Sequence, residues 1–244
     1  MVIGKEILMF CGRKALCLMS GIAVSVWSLT FLFSAISNGA EYVGNSGCKC
    51  HMGKGCFEGE EYKERLHSNT WEKRLKGTPD AENPDCLKCH GTAYGEKIAE
   101  AGKKYLPNVQ CEACHGAGSE YKKVKENFQG KGKDAFKELL KKDPFEARKV
   151  QYDAGLIVAG INGPATVKEQ CLKCHWESKD DTNKCPKTDK VMDYKDYFKK
   201  DDHRDEDEID VAIKKLSPED KKKWAALLPK DEILNTPLKP KKKE

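Results

Sequence analysis

Three copies of the pentad Cys-x-x-Cys-His constrain this chain more than any other feature, at 86–90, 111–115 and 171–175. Two cysteines at this spacing reach the two vinyl groups of one porphyrin as thioethers, and the histidine that follows binds the iron. The pattern therefore predicts three covalently attached c-type haems. The thioether residues are Cys86, Cys89, Cys111, Cys114, Cys171 and Cys174, and the proximal ligands are His90, His115 and His175.

Two other uses of paired cysteines fit the chain less well. Zinc ribbons also contain Cys-x-x-Cys pairs, but zinc gives no reason for a histidine to follow the second cysteine directly in every copy. A thioredoxin-like redox pair needs one motif in a βαβ context, and this Lys-rich chain has no alternation of strand and helix patterns. Outside the motifs, Cys56 and Cys185 form the candidate disulfide.

A shortened copy of the motif, Cys48-Lys49-Cys50-His51, precedes the three complete ones. With one spacer residue, the two sulfurs lose the turn geometry that directs both to one edge of the ring, so Cys50 would form the firmer bond. Cys50 and His51 keep the order needed for one thioether and one proximal ligand. We therefore predict a fourth haem, attached at Cys48 and Cys50 with His51 on its iron.

The composition favours an interior built around cofactors. Of the 244 residues, 34% are charged and 39% are hydrophobic, with a mean hydropathy of -0.71. That leaves a thin apolar core for the one or two domains that this length allows. Haems supply large apolar plates against which short helices can pack. We predict a mainly α fold of short helices and long loops, wrapped around covalently attached and closely stacked haems.

The first 40 residues have the layout of a secretory signal peptide, because Lys5, Arg13 and Lys14 precede an uncharged run at 15–37. The run is also long enough to span a bilayer. We favour cleavage over an uncleaved anchor that would hold the protein at the membrane, and both outcomes export the rest to the periplasm or cell exterior. The predicted segments are a leader at 1–40, a tetrahaem cytochrome domain at 41–210, and a charged helix and tail at 211–244.

The charge pattern excludes nucleic acid as a partner class. The formal net charge is only +5, and the basic residues alternate with acidic ones rather than clustering with aromatics. Redox proteins that donate and accept electrons are the expected partners, and a homo-oligomer stays open as an alternative.

The histidine count limits how many irons can have two histidine ligands. Of six histidines, four follow cysteine motifs, which leaves His67 and His203. His67 shares a helical stripe with Trp71 and Leu75, where a histidine is ordinarily a core residue, and His203 lies in an acidic run that is ordinarily solvated. Bis-histidine ligation gives both a role as distal ligands. The other two irons are open, or take Met192, a lysine, the mature N-terminus or a residue of another subunit.

From about Tyr42 to Glu208 the chain resembles the tetrahaem cytochrome c-554 family of electron carriers. The likeness includes a Tyr-Val-Gly opening before the first motif, a histidine on the following helix, and the segment Cys-Glu-Ala-Cys-His-Gly-Ala-Gly at 111–118. The last shared feature is a late histidine after an aromatic-rich helix, here His203. The chain departs from the family in its shortened first motif and in having no histidine at 116–170.

The resemblance implies a mostly helical fold with closely stacked haems. It assigns His67 to the haem of His115 and His203 to the haem of His175, as distal ligands. It also implies that the haem of His90 has no distal protein ligand.

Three functions follow from these features. The first is an electron carrier, because several haems in one small chain form a path for electrons. The second is a reductase that acts on a small nitrogen oxide at an open haem on His90, although no acid–base constellation is evident beside it in the sequence. The third is a subunit of a polymeric cytochrome wire. We rank the carrier first and expect no enzymatic activity.

Overall fold

Short helices joined by long loops make up residues 39–48, 62–204 and 208–237, which are the parts of the chain that the computed structural model describes. The leader, Cys50, His51 and Cys56 lie outside these ranges, so the predictions made for them stay predictions. Contacts group Ser37–Glu244 as one compact unit. In the described ranges, no helix is both long and apolar enough to cross a membrane.

The mainly α prediction is confirmed, with helices of four to ten residues. A short 3-10 turn, Leu66–Asn69, precedes the second helix. In chain order the helices are α1 (Gly44–Gly47), α2 (Thr70–Arg74), α3 (Pro84–His90), α4 (Cys111–His115), α5 (Ser119–Glu126), α6 (Lys133–Lys142), α7 (Pro144–Asp153), α8 (Val167–Cys171), α9 (Tyr194–Asp201), α10 (Glu208–Ile213) and α11 (Pro218–Lys223). Further 3-10 turns span Phe128–Gly130, Ala225–Leu227 and Glu232–Asn235.

One pair of two-residue strands lies between the second and third motifs. β1 (Gly91–Thr92) and β2 (Leu106–Pro107) pair antiparallel, with Gly91 opposite Pro107. β1 directly follows the last residue of α3. The pair therefore returns the chain to the start of α4.

Local sequence explains where the helices of the motifs begin. Asn83 caps α3 by accepting a hydrogen bond from the Asp85 backbone N–H, and proline occupies the first helical position. At α8, Thr166 and Glu169 form a reciprocal capping box. These caps stabilise the first turn of each of the two helices.

A conventional apolar core lies away from the cysteine motifs. Phe145 of α7, Ile209 of α10 and Leu227 are buried against one another. Trp224 stacks on Phe145, with ring centroids 5.3 Å apart. This cluster joins the C-terminal helices to α7.

Candidate haem sites

Helical geometry brings the two cysteines of a motif to one side of the backbone. In α3 and α4 the two cysteines are separated by three positions, and residues at that spacing are neighbours on a helix surface. The motif at 171–175 begins at the end of α8 and continues into the following turn. The cysteines of the three complete motifs are free thiols in the structure: Cys86, Cys89, Cys111, Cys114, Cys171 and Cys174.

Two motif histidines each face one of the histidines that lie outside the motifs. The rings of His67 and His175 have centroids 6.1 Å apart, and so do those of His115 and His203. A metal ion at the usual distance of about 2 Å from each nitrogen would separate two ring centres by roughly 6 Å. Both pairs therefore have the spacing that one iron between two imidazoles requires.

The ring contacts differ from the ligand pairing that the family resemblance implied. The expected partners were His115 for His67 and His175 for His203, and in the structure the rings face each other in the opposite combination. The reason is tertiary: α9 lies so that Tyr197 packs edge-on against His175, with centroids 5.1 Å apart. The chain after α9 then carries His203 to His115.

In four of the histidines, Nδ1 makes a hydrogen bond that orients the ring. Second-shell bonds of this kind are usual for metal-binding histidines and present Nε2 to the metal. The partners are the Asp201 carboxylate for His67 at 3.0 Å, the Thr70 hydroxyl for His90 at 3.0 Å, the Ile157 carbonyl for His115 at 2.9 Å and the Asp201 carbonyl for His203 at 2.9 Å.

Electrostatics keeps two proximal histidines in the neutral form that binds metals. Burial, with the nearby charge of His67, lowers the pKa of His175 to about 4. Burial and the charge of Arg74 lower the pKa of His90 below its ordinary value. Neither imidazole must lose a proton at neutral pH before it binds iron.

The second and fourth attachment points touch each other. The thiol of Cys174 donates a hydrogen bond to the carbonyl oxygen of Lys88, at 3.9 Å, beside Cys89. The nearby Cys174 thiol lowers the pKa of Cys89 although burial opposes it, and the pKa of Cys174 is raised by Cys89 and by burial. Cys185, near Cys86, is a free thiol.

The sequence interpretation missed a buried glutamate in the spacer of the motif at 111–115. Glu112, 1% exposed, accepts hydrogen bonds from the backbone N–H groups of Val43, Gly44 and Gly118, at 2.9, 2.6 and 2.6 Å. A Cβ at Gly118 would lie 2.6 Å from a Glu112 oxygen, which explains the glycine. Glu112 therefore anchors the segment before Cys48 to α4.

A buried donor beside a motif histidine supports the fit of a haem. Trp176 Nε1 is buried without a hydrogen-bond partner, and Trp176 follows His175 directly. Haem carboxylates can accept a bond from the indole N–H, and buried polar groups ordinarily have such partners. Within the described ranges, no group of three or more His, Cys, Asp or Glu residues is arranged to hold a metal ion.

Comparison with known families identifies the motif region. Residues 47–116 match the family model described as cytochrome c554 and c-prime. The resemblance to the cytochrome c-554 family is confirmed over these residues, and from residue 117 to residue 208 it stays a prediction. The match spans the shortened motif, His67 and the complete motifs at 86–90 and 111–115, and it supports haem c binding and electron transport by a c-type cytochrome. No curated protein and no solved structure matches the chain.

Proposed function

We propose that the protein is an exported tetrahaem c-type cytochrome that carries electrons between redox partner proteins. Two pairs of facing imidazoles carry this proposal. In each pair a motif histidine faces a histidine from outside the motifs, with ring centroids 6.1 Å apart. When bound, haem c supplies an iron that is reversibly oxidised and reduced by one electron. An imidazole on each side keeps other molecules from the iron, as suits a carrier.

The proposed ligand sets follow from these pairs. Cys171 and Cys174 hold one haem between His175 and His67. Cys111 and Cys114 hold another between His115 and His203. Cys86 and Cys89 hold a third on His90, and Cys48 and Cys50 hold the fourth on His51.

Two contacts support a short path between the haems. The hydrogen bond from the Cys174 thiol to the Lys88 carbonyl, at 3.9 Å, joins the motif of His175 to that of His90. Glu112 ties the segment that leads to Cys48 against α4. Adjacent attachment points are what electron transfer through stacked haems needs, because the protein sets both the spacing and the potential of each cofactor.

The intact mass of the mature holoprotein tests haem number and leader removal together. We expect four covalent haems and a chain that begins near residue 40. Cys48→Ser should keep four haems, since Cys50 makes the firmer thioether. A mass with three haems in the unmutated protein would refute the fourth, and a mass that retains the leader would favour a membrane anchor. Size-exclusion chromatography of the same sample separates a monomeric carrier from an oligomer or wire.

A second candidate function is reduction of a small nitrogen oxide at the haem of His90. Among the described residues, no histidine ring faces His90, whose Nδ1 partner is the Thr70 hydroxyl. An iron without a distal side chain binds exogenous ligands readily.

Electron paramagnetic resonance of the oxidised protein tests this open position. We expect at least one high-spin ferric signal before reduction. After reduction we expect carbon monoxide to change the haem absorption spectrum and nitric oxide to give a new ferrous-nitrosyl resonance. Turnover of nitric oxide, nitrite or hydroxylamine by the reduced protein would then favour the reductase. Purely low-spin signals and no ligand binding would leave a simple carrier, with Met192, a lysine or another subunit on this iron.

A further inference from the structure

Asp201, the last residue of α9, contacts both distal histidines. Its carboxylate oxygen Oδ1 lies 3.0 Å from His67 Nδ1, and its backbone carbonyl lies 2.9 Å from the Nδ1 of His203. The two histidines belong to different imidazole pairs, with His175 and His115 respectively. A single residue thus links the ligand sets of two haems.

We propose that Asp201 is a positioning residue that orients both distal histidines and makes the reduction potential of the His67–His175 haem lower than that of the His115–His203 haem. The inference rests on the proposed function, because it takes His67 and His203 as iron ligands. It concerns a residue that no motif singles out.

The asymmetry comes from the charge of the two acceptors. An ionised carboxylate makes a stronger hydrogen bond to an N–H than a neutral carbonyl does. It therefore draws the Nδ1 proton of His67 further and makes this imidazole the stronger electron donor to iron, which favours the ferric state. His203 donates to a neutral carbonyl and receives less of this effect.

The packing of α9 holds the carboxylate in place. Tyr197 and Asp201 are four residues apart and so share one face of the helix. Tyr197 contacts the ring of His175 while Asp201 contacts His67, so one helical face covers both sides of the same pair. Rotating or unwinding the end of α9 would disturb both contacts together.

The neighbouring Asp202 supplies a matched comparison. Its carboxylate pairs with the guanidinium of Arg204, with nitrogen–oxygen distances of 2.9 and 3.1 Å. Asp202 has the same formal charge one residue further along the chain. Neutralising it changes the local charge without changing the acceptor of His67.

The test is a spectroelectrochemical titration of holoprotein carrying Asp201→Asn, with Asp202→Asn as control. Loss of a second-shell partner typically changes metal affinity by about 10- to 100-fold. A tenfold weaker preference for ferric iron raises a one-electron potential by about 59 mV. We expect at least this rise for one low-spin haem in Asp201→Asn, a smaller rise for the other, and a changed low-spin resonance spectrum. Asp202→Asn should move both potentials by a similar small amount.

Several outcomes would overturn the proposal while leaving the carrier function intact. Equal shifts of the reduction potentials in Asp201→Asn and Asp202→Asn would show that only net charge matters. Unchanged potentials in Asp201→Asn would show that Asp201 does not set the potential of either haem. If Asp201→Asn fails to accumulate, Asp201→Glu and Asp201→Ala replace it in the test. Asp201→Glu keeps the charge, so its potential should lie closer to that of the unmutated protein than the potential of Asp201→Ala does. If it lies no closer, the role is refuted. An unchanged spectrum in His67→Ala would instead refute the ligand assignment on which both proposals depend.

Discussion

The C-terminal helices and the motif region are built in different ways. Around α7, α10 and α11 the interior is apolar, with Phe145 stacked on Trp224 and packed against Ile209 and Leu227. The motif region also buries apolar residues, among them Leu75, Leu87 and Trp176, but its described cysteines and histidines are partly exposed or exposed. The first region is stabilised by packed apolar side chains, whereas the second presents groups that would pack against haem once it is attached.

Side-chain hydrogen bonds to the backbone hold the motif region together. The Thr92 hydroxyl, buried beside β2, donates to the Asn108 carbonyl and accepts from the Gln110 N–H, both at 2.8 Å. Asn108 in turn accepts from the Trp71 N–H at 2.8 Å. Such bonds specify a backbone path without needing apolar volume, which suits a region whose volume belongs to cofactors.

Replacing a distal histidine should have the largest effect of these changes, and it should alter the spin state of a haem in the motif region. We expect His67→Ala and His203→Ala each to convert one low-spin haem to high-spin while four haems stay attached, because the thioethers persist when a distal ligand is lost. Resonance spectra and intact mass measure the two properties separately. Asn69→Ala, in the same 3-10 turn as His67, should keep every low-spin signal. If either histidine variant gives an unchanged spectrum, that residue is not a ligand.

Removing an aromatic ring should test the C-terminal region alone. Phe145→Ala should lower the free energy of unfolding by about 3–5 kcal/mol, the usual effect of deleting a large buried ring. The haem spectra of the folded protein should not change, because this cluster contains no motif residue. Val211→Ala, on α10 and 37% exposed, is the matched control and should change stability little. Altered axial ligation in Phe145→Ala would show that the two regions are not separable.

Loss of the Glu112 carboxylate should lower the free energy of unfolding by less than Phe145→Ala does, and the effect should lie in the motif region. Glu112→Ala leaves the N–H groups of Val43, Gly44 and Gly118 without their acceptor, and unsatisfied buried groups cost about 1–3 kcal/mol. Thermal unfolding measures the loss, and hydrogen exchange at residues 43 and 44 should show whether it is local. Glu126→Ala, which removes only a surface pair with Lys122 at 3.7 Å, should have almost no effect. Equal losses in both variants would argue against the anchoring role.

Several features of the site could be read from local pattern because they depend on neighbours in sequence. The spacing within each motif predicts attachment chemistry, since two cysteines one helical turn apart share a face wherever the helix lies. The same holds for the cap of α3 by Asn83 and for the mainly α fold. The scarcity of histidines also singled out His67 and His203 by number alone.

Other features escaped sequence analysis because their partners are distant along the chain. A glutamate inside a Cys-x-x-Cys spacer normally faces solvent, and nothing local indicates that Glu112 is buried under residues 43 and 44. Five acidic residues of equal formal charge follow Asp201 between positions 202 and 208, so only its contacts with two histidines distinguish it.

The sequence by itself determined the residues that can attach haem, the limit on bis-histidine sites and the helical character of the chain. The tertiary structure alone decided that His67 faces His175 and His203 faces His115, the reverse of the pairing inferred from family likeness. The physical reason is that motif spacing is a property of one helical turn, whereas a ligand pair depends on where α9 packs more than 100 residues after His67.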